Sequence, residues 1–496
     1  MRDYSLFVPE YIAAGAAIAI VAIELIWPRL RKDVLAYLTA AVSLGWLAAS
    51  LAYLGRDPKE FMGVLVVDDF TTYFRALAAG IVFVTCLLSA QYLRRRTREA
   101  SEYYGLLLTA GAGMSLMAAA RELLTAYLAL ELLSFSLYIL VGFFRRDLKS
   151  NEASLKYVLL GGFASAMLLY GISLLYGLTG NTTYDAVAEA LANRSGDTDV
   201  AAIAAFVLII AGLGFKVSAV PFHTWAPDAY TGAPVPITAF LSTASKAAGF
   251  ALILRLFTNA FHTDPEEWRW LVAVVAALTI VFGNLVAIQQ TNFRRLIAYS
   301  SIGQVGYMLV PVAALGYGDG EIAHAATAAL LLHLTGYIIS TLAAFSAFQA
   351  AYDRTGDDTI PGLRGLAETQ PFLAMVITIS LFSFAGLPIF AGFATKLFMF
   401  QASALPELMW LVGIAVAASF VSLYYYLMVM RQMYLFDPPE GASRFRVTPA
   451  LWAAAAALML GTIFVGAYPQ PLFDAADGAA SALFQEGAAP HQVRER

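Results

Sequence analysis

Lysine is scarce in this chain, with seven among 496 residues. Four of them, Lys156, Lys216, Lys246 and Lys396, lie inside long apolar stretches, while the short basic runs between stretches are mostly arginine. A charged side chain at mid-bilayer opposes insertion by about 3 kcal/mol, so four oppose it by about 10 kcal/mol. Such a cost persists where the group has a task. Arginine keeps its proton in proteins, whereas a desolvated lysine can release it. The chemistry these residues suit is reversible proton exchange away from bulk water.

Their surroundings sharpen that reading. Gly212-Leu213-Gly214-Phe215-Lys216 is followed by Pro221, and Gly386-Leu387-Pro388 is followed by Gly392 and Lys396. Glycine and proline at mid-span break the helical hydrogen-bond ladder, and the freed groups need protein or water partners. Lys216 and Lys396 are therefore expected to be internal and hydrated. Lys246 lies in Ser242-Thr243-Ala244-Ser245-Lys246-Ala247-Ala248-Gly249, whose small residues permit close helix packing. Its plainer alternative is a structural ion pair. Lys156 comes early in its stretch, where a lysine can also snorkel to the interface.

Glu131, in Leu130-Glu131-Leu132-Leu133-Ser134, is a mid-span carboxylate. An opposite charge within about 4–6 Å holds such a group ionised, while burial does the reverse. Its expected partners are Lys156 and Lys216, which makes Glu131 a switch on lysine charge; a static buried pair is the alternative. His333, in Leu332-His333-Leu334-Thr335-Gly336, is the histidine at mid-span depth and suits a relay near neutral pH, or equally a hydrogen-bonded core position. Glu24 and Arg75 are secondary candidates, and Arg255 is expected to snorkel as an anchor. His223 and Asp228 invite a metal site, but no matching ligand set accompanies them. Gly212-Leu213-Gly214 is not a dinucleotide loop, because no strand precedes it.

The elements that must position these groups follow from composition. Sixty per cent of residues are hydrophobic and 13% charged, with net charge −4. Apolar runs of bilayer length recur throughout, predicting about fourteen spans near 7–27, 34–54, 70–91, 103–120, 122–143, 153–178, 200–220, 234–257, 269–289, 295–316, 322–350, 371–402, 407–434 and 449–468. A short surface helix is expected from Tyr184 to Asn193. No basic block is large enough for nucleic acid. The single cysteine, Cys86, excludes a Cys-ligated iron–sulfur cluster and an intrachain disulfide. The first apolar run is followed, not preceded, by its basic residues Arg29, Arg31 and Lys32, which reads as an uncleaved first span.

Arg29/Arg31/Lys32, Arg94/Arg95/Arg96/Arg98, Arg145/Arg146/Lys149, Arg294/Arg295, Arg354/Arg364 and Arg444/Arg446 each follow an odd-numbered span. The positive-inside rule makes those loops cytoplasmic and places both termini outside. Leu124-Thr125-Ala126-Tyr127 and Leu296-Ile297-Ala298-Tyr299, each opening a span five apart, hint at inverted duplication.

The stretch from Gly212 to Gly249 resembles the proton-conducting subunits of respiratory complex I and their Mrp-type antiporter relatives. Glu131 to Tyr138 (ELLSFSLY) resembles the subunit N branch of that family, and Lys396 stands where the subunit M branch typically has glutamate. The resemblance covers nearly the whole chain. It implies an all-α polytopic membrane protein of about fourteen transmembrane helices, with two inverted five-helix repeats and broken helices 7 and 12. The segments would be 1–100 (helices 1–3), 101–260 (helices 4–8), 268–436 (helices 9–13) and 445–496 (helix 14 and tail). It also implies that Glu131, Lys156, Lys216, Lys246 and Lys396 are the family's proton-translocating residues, with His333 on the helix-11 path. Protons would pass between Lys216, Lys246 and Lys396, leaving near Lys396.

The implied activity is that of a membrane subunit of type I NADH dehydrogenase, with no cofactor of its own. FMN, iron–sulfur clusters, NADH and quinone belong to partner subunits, and the neighbours are subunit M- and K-like chains of the membrane arm. The implied location is the bacterial cytoplasmic (inner) membrane. The alternatives are a free-standing Mrp-type cation/proton antiporter and a pseudo-channel retained as scaffold.

Overall fold

The computed structural model describes residues 3–485 apart from 95, 98, 194–199, 264, 318 and 319. Arg95 and Arg98 of the second basic cluster, and the tail from 486 onward, lie outside the described residues. The chain is helical except for one short antiparallel hairpin, β1 (Lys59–Phe61) with β2 (Leu65–Val67). Twelve helices among the described residues are long and apolar enough to cross a membrane. Two more account for the fourteen expected. One is α4 (Ala100–Ala119), made less hydrophobic by its Gly, Ser and Tyr residues. The other is the split pair α15 (Pro371–Ala385) and α16 (Ala391–Ala402).

Ahead of α4 come α1 (Val8–Ile26), α2 (Lys32–Leu51) and α3 (Asp69–Arg94). The first repeat is α4, α5 (Leu123–Val141), α6 (Leu148–Thr179), the broken pair α8 (Val200–Val217) and α9 (Trp225–Gly232), and α10 (Val235–Asn259). The surface helix α7 (Tyr184–Ala192) stands where it was expected. The second repeat is α11 (Arg269–Ala287), α12 (Phe293–Ala314), α13 (Gly320–Thr355), α15 with α16, and α17 (Met409–Leu435). A single turn, α14 (Leu366–Thr369), precedes α15, and α18 (Pro449–Ala467) follows α17.

The repeats share their packing: α4 lies on α5 as α11 lies on α12, and α6 clasps α8 and α9 as α13 clasps α15 and α16. They also share a clasp. The residue capping α5, Glu122, bridges Thr183 just after α6, and the residue capping α12, Asn292, bridges Thr359 just after α13. Each cap side chain accepts a backbone N–H three residues on, at Thr125 and Arg295. Five spans separate the two clasps, so they sit at opposite ends of the bundle, as inverted repeats require. At the centre, α10 and α12 are buried along their whole apolar windows. Glycines bring α11 and α12 together: a Cβ on Gly306 would stand 2.6 Å from the backbone nitrogen of Ile280.

Two expectations are corrected, those for Arg255 and for the tail, and two secondary candidates find partners. Arg255 does not snorkel: it is fully buried and pairs through two nitrogens with Asp68 at 2.7 and 2.9 Å. The carboxylate that permits this comes from the turn before α3. Burial pushes Asp68 up, but the guanidinium and the Thr71 N–H and hydroxyl prevail and hold it below the ordinary carboxylate value. Arg75 is likewise internal, paired with Glu10 at 2.7 Å, and Glu24 pairs with Lys32 at a helix end. Finally, the segment read as tail contains α19 (Gln470–Gln485), an amphipathic helix lying on α13 and α3 with Ala476, Ala480 and Leu483 buried.

Candidate proton-transfer site

The two helix breaks create the site. In the first, α8 ends at Val217, Ser218 adopts φ 69°, and Pro221 supplies no N–H to the Val217 carbonyl four residues earlier. The Lys216 carbonyl is taken by the Ser245 hydroxyl at 2.7 Å, and Trp225 Nε1 donates to the Phe215 carbonyl at 2.9 Å. In the second, Gly386 (φ 82°) caps α15, and Pro388 lacks the N–H that would have met the Phe384 carbonyl. Lys396 Nζ takes that carbonyl at 2.8 Å. Gly392 is required there: a Cβ would lie 1.7 Å from the Ser383 carbonyl oxygen.

Lys216, Lys246 and Lys396 are 2%, 0% and 4% exposed. Lys216 Nζ donates to Ser134 Oγ on α5 at 2.9 Å. Lys246 Nζ donates to the Tyr230 hydroxyl and lies 5.7 Å from the Trp225 ring centre. Lys396 also donates to Ser419 Oγ at 3.2 Å and stands 4.4 Å over the Tyr307 ring. All three amines thus hold neutral oxygens, with aromatic faces beside two of them.

Polar side chains lie between them. Ser245, which donates to the Lys216 backbone carbonyl, precedes Lys246 in α10. From Lys246 the chain runs to Tyr230, then to Ser301 Oγ at 3.4 Å, and Tyr337 donates to Ser301 at 2.8 Å. One turn before Tyr337 on α13, His333 Nδ1 meets Thr395 Oγ1 at 2.8 Å, next in sequence to Lys396. The other ring nitrogen of His333 is buried and has no hydrogen-bond partner among the described residues. On α12, Gln304 Nε2 donates to the Phe384 carbonyl that Lys396 also holds, at 3.0 Å.

Glu131 differs from expectation. Its carboxylate accepts from Ser165 Oγ at 2.6 Å, and Ser165 in turn meets the Tyr127 hydroxyl at 2.9 Å. It makes no ion pair with Lys216, whose amine holds Ser134 instead. Lys156 is apart from this group. It is half-exposed and pairs with Glu152 at 2.8 Å and Asp228 at 2.9 Å, while Asp228 also binds Arg295 at 2.8 Å. Asp228 is therefore saturated by cations. His223 lies 4.6 Å from the Phe282 ring centre.

Ser134, Ser165, Tyr230, Ser301, Gln304, Tyr337 and Thr395 are absent from the sequence-derived candidates. The signal was present on α12, where Ser300, Ser301, Gln304 and Tyr307 recur at helical spacing within an apolar span.

A family model described as NADH:quinone oxidoreductase/Mrp antiporter, TM, matches residues 120–422. The NADH-quinone oxidoreductase subunit N of Moorella thermoacetica is 39% identical over 487 residues, covering 98% of this chain and all of that one. A chain of respiratory complex I from Thermus thermophilus, solved with bound aureothin, superposes with TM-score 0.80 at 32% identity, covering 95% of this chain and 100% of its own. A chain of the Mrp complex from Dietzia sp. DQ12-45-1b reaches TM-score 0.81 at 23% identity, covering 97% and 98%, a likeness of fold alone. The split helices, the inverted halves and the extent of these matches place the chain in one group: it belongs to the NADH:quinone oxidoreductase/Mrp antiporter transmembrane family.

Proposed function

We propose that this chain is an antiporter-like, proton-translocating subunit of a type I NADH:quinone oxidoreductase. The observation that carries the mechanism is the row of three buried amines, each donating to a neutral oxygen, with hydroxyls, an amide and an imidazole placed between them. Protonated lysine donates to those oxygens, and neutral lysine accepts from a hydroxyl in return. Charge on one amine opposes charge on its neighbours: at an effective dielectric of about 20 and roughly 8 Å, the repulsion is about 2 kcal/mol. A proton arriving at Lys216 therefore favours departure further along, toward Lys246 and Lys396. Glu131, turned from Ser165 toward Lys216, would retain a proton there; held by Ser165, it releases it.

His333 serves the link to Lys396. Lys156 holds Asp228 against Arg295 at the base of α9 and steadies that half-helix. Residues 101–260 and 268–436 act as the two halves, with 1–100 and 445–496 flanking them. Electron transfer through FMN, iron–sulfur clusters and quinone resides in partner subunits, with subunit M- and K-like chains as membrane-arm neighbours. The location is the bacterial inner membrane with both termini outside. Likeness to a quinone oxidoreductase subunit along nearly the whole chain favours this reading over a free-standing antiporter.

The test is Lys216→Met in the assembled complex, reconstituted in vesicles, with proton uptake and quinone reduction measured together. Loss of pumping in an assembled complex is expected. Undiminished pumping would refute the role.

A further inference from the structure

On the face carrying the basic loops, a cleft of about 1240 Å³ opens between the α3–α4 loop, the α5–α6 loop and the end of α13. Its cations are Arg96, Arg145, Arg146 and Lys149, against the carboxylates Glu99 and Asp147. Arg96 is engaged, paired with Asp353 at 2.9 Å and stacked 3.8 Å over the Tyr92 ring. Arg145, Arg146 and Lys149 make no ion pair among the described residues; the Asp147 carboxylate instead caps α6 by accepting the Lys149 N–H at 3.0 Å. Three unpaired cations thus share a concave, aromatic-walled space.

Leu148, which also lines the cleft, is 83% exposed. It begins an apolar stripe on α6 that continues through Leu155, Leu159 and Phe163, all exposed and at helical spacing. Glu152, on the same side, is occupied by Lys156. The cleft therefore joins a cationic bowl to an outward apolar track running into the bilayer. A free anion would use only the bowl, and an acidic protein segment would leave the track unused. An amphiphile with a negative head and hydrocarbon tails uses both.

We propose that this cleft binds the headgroup of an anionic phospholipid, with its acyl chains laid along the Leu148–Leu155–Leu159 stripe. Arg145, Arg146 and Lys149 meet the phosphate, and Phe143 and Phe144 wall the glycerol region.

The experiment uses the assembled complex in detergent, exchanged against vesicles of phosphatidylglycerol or of phosphatidylcholine, with retained lipid counted by native mass spectrometry. Selective retention of phosphatidylglycerol is expected. It should fall roughly fivefold per neutralised charge in Arg145→Gln, Arg146→Gln and Lys149→Gln combinations, and stay unchanged in Arg444→Gln, a control on another basic loop. Equal retention of the two lipids, or no effect of the triple substitution, would overturn the proposal. So would full displacement of the lipid by glycerol phosphate, which marks a simple anion site. Loss of a partner subunit from the triple variant with its lipid content unchanged would assign the cleft to protein docking instead.

Discussion

Gln304 Nε2 on α12 and Lys396 Nζ on α16 donate to one carbonyl oxygen, that of Phe384, at 3.0 and 2.8 Å. That oxygen is free because Pro388 has no N–H to offer it. The break in the helix is thus the junction at which a charged amine and a neutral amide meet.

Replacing Gln304 by Leu should leave Lys396 with its two acceptors, Phe384 and Ser419. It would cut the α12 link to Lys396. A net hydrogen bond of about 1 kcal/mol corresponds to roughly a fivefold slower transfer. Proton uptake per quinone reduced should drop while Lys396→Met abolishes it. An unchanged ratio in Gln304→Leu would remove α12 from the path.

Tyr230→Phe keeps the aromatic ring that lies 4.9 Å from Lys246 Nζ and deletes only the hydroxyl the amine holds. A buried donor left without its acceptor costs about 1–3 kcal/mol. Pumping should slow by about tenfold or more, with the complex still assembled. Tyr337→Phe, one step along, should give a smaller deficit. Equal activity in both would mean that the phenols are structural.

The Arg255–Asp68 pair should govern stability and not transport. Truncating Arg255 to Met strands a carboxylate that is 2% exposed, at a cost of about 3–5 kcal/mol. Thermal denaturation of the solubilised protein should show a large loss for Arg255→Met, mostly recovered when Asp68→Leu is added. A double variant as unstable as the single would contradict this account.

Asp358, in the turn after α13, should make stability depend on acid. Burial pushes its pKa up, but the Arg294 guanidinium at 2.5 Å prevails and holds it below the ordinary 3.8. Its folded value is below its unfolded one, so its contribution is complete above about pH 4 and disappears as pH falls through the lowered value. Melting temperature should decline in that acid range, and Asp358→Asn should flatten this part of the decline. An identical profile in the variant would show that the pair is inconsequential.

Much of the fold was readable because bilayer length imposes itself on composition: α1, α2, α3 and α5 stand close to their expected bounds. The breaks at Pro221 and Pro388 were readable because proline and glycine act locally. The partners were not. Ser165 is 34 residues from Glu131, and Tyr230 is 16 from Lys246 with a turn between them. Neither residue type signals chemistry by itself. Arg255 was misjudged from depth alone, since depth along a helix does not reveal what a neighbouring helix presents. For α19, alanines supply its buried face, and a hydropathy scan for spans passes over so short a segment.

The buried arginines and the buried lysines are held in opposite ways. Arg75 and Arg255 are locked to Glu10 and Asp68, whereas Lys216, Lys246 and Lys396 rest on groups that bear no formal charge. Stripping the proton from one of these amines leaves no orphaned anion behind. The protonated and neutral forms of the row can therefore be isostructural, with no counter-ion to rearrange when a charge comes or goes.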